Sequence, residues 1–393
     1  MKSKNNPETV LATRPHYPLL DGWRGVAALV VLLYHMCEPF GGDPSSQMGM
    51  NHGYLAVDFF FMLSGFVMSY AYDHRWQKGM GVKTFFVRRL VRLQPMVVLG
   101  AVWGGVLFYT QGGVTWDVSA VPVWALLVAV LLNAFMLPAP SFAEVRGGGE
   151  LYPLNGPTWS LFFEYLGNIL YALLLWKMPR KILWFLACLL GCILAGYAVT
   201  SPDGSIGVGW QLSALHISVG LVRMLFPFCV GLLIARYFVH TQRKQLTSWV
   251  KRYVFSIGAL LLFGVCAMPR IGGPEQVWQN GLYEFLCVAM LFPLLLCLGV
   301  MSASSSSSLA NRVSLWLGRF SYPLYLIHYP GLYCFYAWVK NHGYTTLSQA
   351  WPGALLFLLS SLILGLLAMR LYDEPVRCYL QRMVASWKGN ITR

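Results

Sequence analysis

Charged side chains are scarce in this sequence. Asp, Glu, Lys and Arg together make up 11% of 393 residues, against roughly 25% in an ordinary soluble domain. A soluble globule of this length exposes more surface than so few charges can keep in water, which excludes that class. A disordered chain is poor in aromatics, and 15% Phe, Trp and Tyr excludes it too. Among nine cysteines no Cys-x-x-Cys pair occurs and no His-rich stretch accompanies them, so no metal site is expected. Walker, Gly-x-Gly-x-x-Gly and Gly-x-Ser-x-Gly strings are missing, which leaves ATP-driven transport and serine-hydrolase chemistry without local support. A His-x4-Asp string is missing as well, because His52 and Asp58 stand one residue too far apart.

What is there is apolar: 57% of the residues are hydrophobic. Eleven stretches approach the length of about 20 residues that a membrane span needs: 19–39, 53–72, 93–110, 121–138, 159–176, 182–200, 218–238, 252–268, 282–301, 321–339 and 352–371. The expected fold class is therefore an all-α polytopic membrane protein. Its organisation reads as a tail (1–18), a membrane domain (19–371) and a second tail (372–393). The first run has polar flanks without a cleavage site and is expected to stay in the membrane.

Lys and Arg gather between alternate stretches. The N-terminal tail, the 73–92 loop, 177–181, 236–252, 302–320 and residues 370–393 hold 24 of the 29. Basic loops mark the cytoplasmic side, so the net charge of +14 reports topology and needs no nucleic acid. Both termini then face the cytoplasm of a cell membrane, which requires an even number of crossings. We expect ten spans, with 121–138 as a re-entrant or interfacial helix on the outer side, because Pro122, Asn133 and Pro138 interrupt it and basic flanks are lacking. The run Arg146-Gly-Gly-Gly-Glu150 reads as a flexible loop and 302–308 as a low-complexity linker.

Ionisable groups inside spans are costly and mark functional candidates. Arg24 and His35 are eleven residues apart, within about 20° of one helix face and about 16 Å apart in height. His35, Asp58 and Glu164 fall at similar expected depth. A carboxylate beside an imidazole fixes its tautomer, as a general base requires. The same three groups could instead form a structural cluster tying helices together. Arg89 and Arg92 share a helix face, and with Arg24 they could grip a polyphosphate or simply anchor the inner boundary. Arg223 and Glu284 are expected to pair structurally, and His328 to be a packed histidine.

These residues fall in a familiar order. Leu20-Asp-Gly-Trp-Arg24 with His35 after ten residues, Val57-Asp58-Phe-Phe-Phe61-x-Leu-Ser-Gly-Phe66, Arg89-x-x-Arg92, Trp159-Ser-Leu-x-x-Glu164, Leu317-Gly-x-x-Ser-Tyr-x-Leu-Tyr-Leu-x-His328 and Glu374-Pro375 resemble the motifs of the acyltransferase-3 family. Ala56 stands where Gly is usual, and Phe162-Phe163 where a more polar pair is usual. The resemblance, over about residues 17–380, implies a membrane O-acyltransferase. Acyl-CoA, most often acetyl-CoA, would bind from the cytoplasm with its phosphates on Arg89, Arg92 and Arg24. A glycan hydroxyl on the outer face would receive the acyl group. His35 would serve as base or acyl carrier, oriented by Asp58 or Glu164. The alternative is a transporter or flippase of a lipid-linked sugar or polymer, using the same intramembrane charges as a pathway.

Overall fold

The structure, a computed structural model, describes residues 16–41, 49–240, 248–302 and 309–391. Lys2, Lys4, Arg14, Arg243, Lys244, Arg393 and residues 303–308 of the low-complexity linker lie outside the described residues. Thirteen α-helices follow one another: α1 (Pro18–Cys37), α2 (Ala56–Gln77), α3 (Val82–Leu107), α4 (Val123–Ala134), α5 (Thr158–Leu173), α6 (Arg180–Thr200), α7 (Ala214–His240), α8 (Ser248–Ala267), α9 (Trp278–Leu286), α10 (Phe292–Met301), α11 (Leu309–Asn341), α12 (Trp351–Leu367) and α13 (Glu374–Ile391). No strand occurs among the described residues, only a single bridge between Glu150 and Gln211. In a medium without water each span must satisfy its own backbone, which a helix does.

Among the described residues, seven helical stretches are long and apolar enough to cross a membrane: Pro18–Phe40, Gly53–Gln77, Val82–Gln111, Arg180–Thr200, Ala214–Phe238, Trp278–Met301 and Trp351–Ser386. On this measure the described residues hold fewer spans than the expected ten. The stretch expected at 159–176 is a helix of only 16 residues. The one at 321–339 belongs to a helix of 33 residues, long enough but more polar. Apolar side chains turn outward where a soluble protein would bury them: Phe185 is 71% exposed, Leu356 71% and Leu371 73%. In water that surface would cost about 25 cal/mol per Å²; in lipid it costs nothing comparable. The chain is a multi-pass, all-α membrane protein.

Two packings position the rest. α1 lies along α11, and α2 along α7. The α2–α7 approach is close because Gly65 and Gly231 face each other: a Cβ on Gly65 would strike the Phe228 carbonyl oxygen, and one on Gly231 the Met62 carbonyl oxygen. Small residues let helix backbones approach in this way. α3 starts eleven residues earlier than the expected 93–110 span and runs unbroken through Pro95, so Arg88, Arg89 and Arg92 lie well inside the helix, in keeping with the shared face expected for Arg89 and Arg92. α12 likewise continues beyond 371, through a π-turn at Ala368–Asp373, into α13.

The bundle has two ends. Where α1 begins, α2 ends and α3 begins lies the arginine end; where α1 ends and α2 begins lies the histidine end. α4 descends from the histidine end only part way. Its last carbonyl, that of Ala134, accepts a hydrogen bond from Gln94 Nε2, at the middle of α3. The chain then turns at Met136, whose φ is +60°.

Candidate functional site

Two cavities open toward opposite ends of the bundle. The one at the arginine end has a volume of about 180 Å³. Its basic wall comes from α1 (Arg24), α3 (Arg89, Arg92), α11 (Arg319) and α13 (Arg377), and its apolar wall includes Phe60, Leu63 and Val67 of α2. The π-turn brings Asp373 to the same wall, where it pairs with Arg377 at 2.6 Å. A π-turn shifts the register of the following helix, a device common at functional sites.

The arginines are held differently. Arg24 donates to Gly318 O (2.6 Å) and Ser321 Oγ (3.1 Å) and pairs with Asp21 at 3.1 Å. Arg89 is buried and pairs with Glu164 at 2.7 Å; Ser64 Oγ donates to the same carboxylate oxygen at 2.9 Å. Arg92 lines the cavity with no hydrogen-bond partner among the described residues, leaving its planar fork free for an anion. The sequence-expected trio thus shares one cavity. Arg319 and Arg377, read from the sequence only as loop and tail charges, join it.

The cavity at the histidine end is larger, about 570 Å³. Aromatic side chains dominate its wall, among them Tyr34, Tyr54, Trp116, Trp159 and Trp210. One face of α11 supplies four more at helical spacing: Tyr325, Tyr329, Tyr333 and Tyr336. His35, Glu38, Glu150 and Asp203 add ionisable groups. His35 Nδ1 lies 2.7 Å from Glu38 Oε2. With Nδ1 donating to that carboxylate, the ring keeps its lone pair on Nε2. Tyr34, Tyr329 and His328 surround the ring at centroid distances of 4.9, 4.8 and 5.4 Å.

This geometry corrects the expected pairing. Asp58 is fully buried and gives both oxygens to Arg223, at 2.9 and 2.7 Å. The close α2–α7 packing sets those two groups face to face. Glu164 lies six residues inside α5, about 9 Å along it, and belongs to the arginine cavity. Neither carboxylate is hydrogen-bonded to His35; Glu38 is. That residue went unnoticed in the sequence, although its i, i+3 spacing from His35 was a usable signal. The expected Arg223–Glu284 pair is also absent. Glu284 instead accepts from Asn280 Nδ2 and the Ile206 amide, each at 2.8 Å, and from Tyr54, with His52 Nδ1 at 3.1 Å. His328 is packed as expected, its Nδ1 donating to Leu324 O at 3.0 Å.

The Arg146–Glu150 run is anchored, contrary to its glycine-rich sequence. Arg146 is buried, donates to Pro153 O and Gln111 Oε1, and stacks 3.3 Å from the Tyr333 ring centroid. Tyr333 in turn donates to Glu150 Oε2 at 2.5 Å. Withdrawal from water raises the Glu150 pKa to about 7, against the pull of Arg146. No group of metal-ligating side chains occurs among the described residues.

The arrangement sets a cationic pocket and a base-bearing aromatic pocket back to back. Comparison with known proteins gives that pairing a context. The family model of an acyltransferase domain, acyltransferase-3, matches residues 17–370. "Protein 2 in picA locus" of Rhizobium radiobacter is 38% identical over 161 residues, 39% of this chain and 80% of that protein. Acyltransferase MdmB of Streptomyces mycarofaciens is 27% identical over 332 residues, 79% of this chain and 78% of its own. A Staphylococcus aureus protein named as an O-acetyltransferase is 24% identical over 335 residues, and the match spans half its length. No solved structure matches. The chain belongs to the acyltransferase-3 family of membrane O-acyltransferases.

Proposed function

We propose that the protein moves an acyl group, most simply acetyl, from cytoplasmic acyl-CoA to a hydroxyl of a glycan on the outer side of the cell membrane. The observation that carries this is the back-to-back pair of cavities, arginines in one and the His35–Glu38 pair in the other. Arg92, with Arg24 and Arg89 beside it, fits the phosphates of coenzyme A, since guanidinium groups bind phosphate oxygens bidentately. The aromatic wall fits sugar rings, with polar tips left to meet their hydroxyls. Both termini lie in the cytoplasm on this reading, which places the arginine end inside. The name of the Staphylococcus relative supports acetyl as the group transferred.

In the reaction His35 Nε2 takes the proton of the acceptor hydroxyl, and its oxygen attacks the thioester carbonyl. The C–S bond breaks, and the departing coenzyme A sulfur receives the proton from His35. Glu38 holds the ring and stabilises its charged form. Asp58 supports the site indirectly, through Arg223 in the wall of the acceptor cavity. Glu164 does so through Arg89 in the wall of the donor cavity.

The test is labelled acetyl-CoA supplied to purified protein in liposomes together with native membranes carrying the cell's glycans. Alkali-labile label on glycan is expected with the wild type and lost with His35→Ala. Replacing Arg89 and Arg92 by Ala together is expected to raise KM for acetyl-CoA with little change for the acceptor. A flippase would instead move glycan across the bilayer and leave it unlabelled.

A further inference from the structure

The two cavities meet at a thin wall. Val57 of α2 and Tyr325 of α11 line both of them. The start of α5 straddles the same boundary, with Pro157 in the histidine cavity and Ser160 in the arginine cavity. Tyr325 is the largest part of this wall and is buried. Its hydroxyl lies 2.8 Å from Ser160 Oγ. Both hydroxyls also reach the Pro157 carbonyl oxygen, Ser160 Oγ at 3.0 Å and the Tyr325 hydroxyl at 3.5 Å. The Tyr325 ring packs edge-on against Phe60 at 5.7 Å and stands 6.2 Å from the His328 ring. Ring contacts and two hydrogen bonds between neutral groups hold it, the short one to Ser160 worth about 1 kcal/mol net and the one to Pro157 O at 3.5 Å long and weak. No covalent link or ion pair does.

We infer that Tyr325 is the positioning residue that partitions donor from acceptor, with Ser160 as its latch. Resting on the proposed transfer reaction, this assigns the ring two tasks. In the closed position it keeps acceptor-side water from the thioester. When it turns aside, breaking the bond to Ser160, the acyl arm passes toward His35. Without the partition, water takes the place of the acceptor hydroxyl. It adds to the thioester carbonyl, the C–S bond breaks, and coenzyme A thiol and the free carboxylic acid are released. Exclusion of water from a reactive intermediate is a recognised task of active-site closure. Tyr325 therefore governs the ratio of hydrolysis to transfer.

The experiment measures that ratio with acetyl-CoA as the probe. Free thiol released by purified protein without acceptor is compared with ester-bound acetate formed in native membranes. Tyr325→Ala is expected to raise the ratio about tenfold, because the wall is removed. Tyr325→Phe and Ser160→Ala keep the ring and remove only the latch, and each is expected to raise it about threefold. A merely structural role would lower both products together and leave the ratio unchanged. Should Tyr325→Ala fail to fold, the two latch variants decide. Wild-type ratios in every variant that folds would overturn the partition while leaving the transfer reading intact. A wild-type protein that forms no ester-bound acetate at all would overturn the transfer reading itself.

Discussion

Glu38 closes a gap that the sequence left between a histidine and its carboxylate. Asp58 and Glu164 looked suited because both enter spans from the side on which His35 sits, but each is already committed to an arginine. Sequence spacing fixes position along a helix and says nothing of which neighbour claims a charge first. Glu38→Gln keeps the shape and removes the charge that stabilises a protonated His35. We expect a kcat lower by about 10²-fold, with KM for acetyl-CoA near wild type. An unchanged kcat in a steady-state transfer assay would remove Glu38 from the mechanism. A second residue-scale consequence concerns Glu150. Its folded pKa of about 7 lies above its ordinary value of 4.5, so the folded protein holds this proton more tightly than the unfolded chain does. The associated stability is present below about pH 4.5 and is lost as pH rises through about 7. Thermal unfolding in detergent should show that loss, and Glu150→Gln should flatten it across the same window.

At the scale of elements, the helices were largely legible because their apolar runs are long, whereas their packing was not. The expected spans over α1, α2, α6 and α7 coincide with observed helices to within a few residues. Their neighbours could not be read, because in lipid no contrast between buried and exposed faces marks the contact side. Among glycine contacts, those of Gly65 and Gly231 do the most to set the α2–α7 distance, and the Asp58–Arg223 pair depends on it. Gly231→Val forces the two backbones apart and stretches a fully buried ion pair. Breaking such a pair costs about 3–5 kcal/mol. The expected result is a marked drop in thermal stability together with lost activity. Gly196→Ala, at a position with open space around it, is the matched control and should unfold like the wild type.

For the whole molecule, the sidedness of every later helix turns on how the chain between α3 and α5 runs in the bilayer. α4 has 12 residues, about 18 Å of helix, against a hydrocarbon core about 30 Å thick. It begins near the end of α3 and finishes beside Gln94, thirteen residues or about 20 Å back along that helix. The peptide groups at its tip are not left bare. Gln94 donates to Ala134 O, Tyr165 OH donates to Gln94 Oε1 at 2.9 Å, and Tyr152 OH donates to Met136 O at 2.8 Å. The returning chain then pairs Ala139 N with Leu151 O at 2.9 Å, back toward the histidine end. Irregular backbone survives at membrane depth only where protein buries it in this way. α4 is therefore expected to enter and leave from one side. Single cysteines at Thr115 and Ser141, in a background freed of exposed thiols, should both react with an impermeant maleimide from the same face of sealed vesicles. Reaction from opposite faces would make α4 a span and reverse the sidedness of every helix after it. Gln94→Leu, which removes the donor to Ala134 O and the acceptor for Tyr165, should loosen the tip and speed proteolysis near Met136. The arginine cavity on the far side of α3 should keep its affinity for acetyl-CoA, since none of its arginines is bonded to this tip.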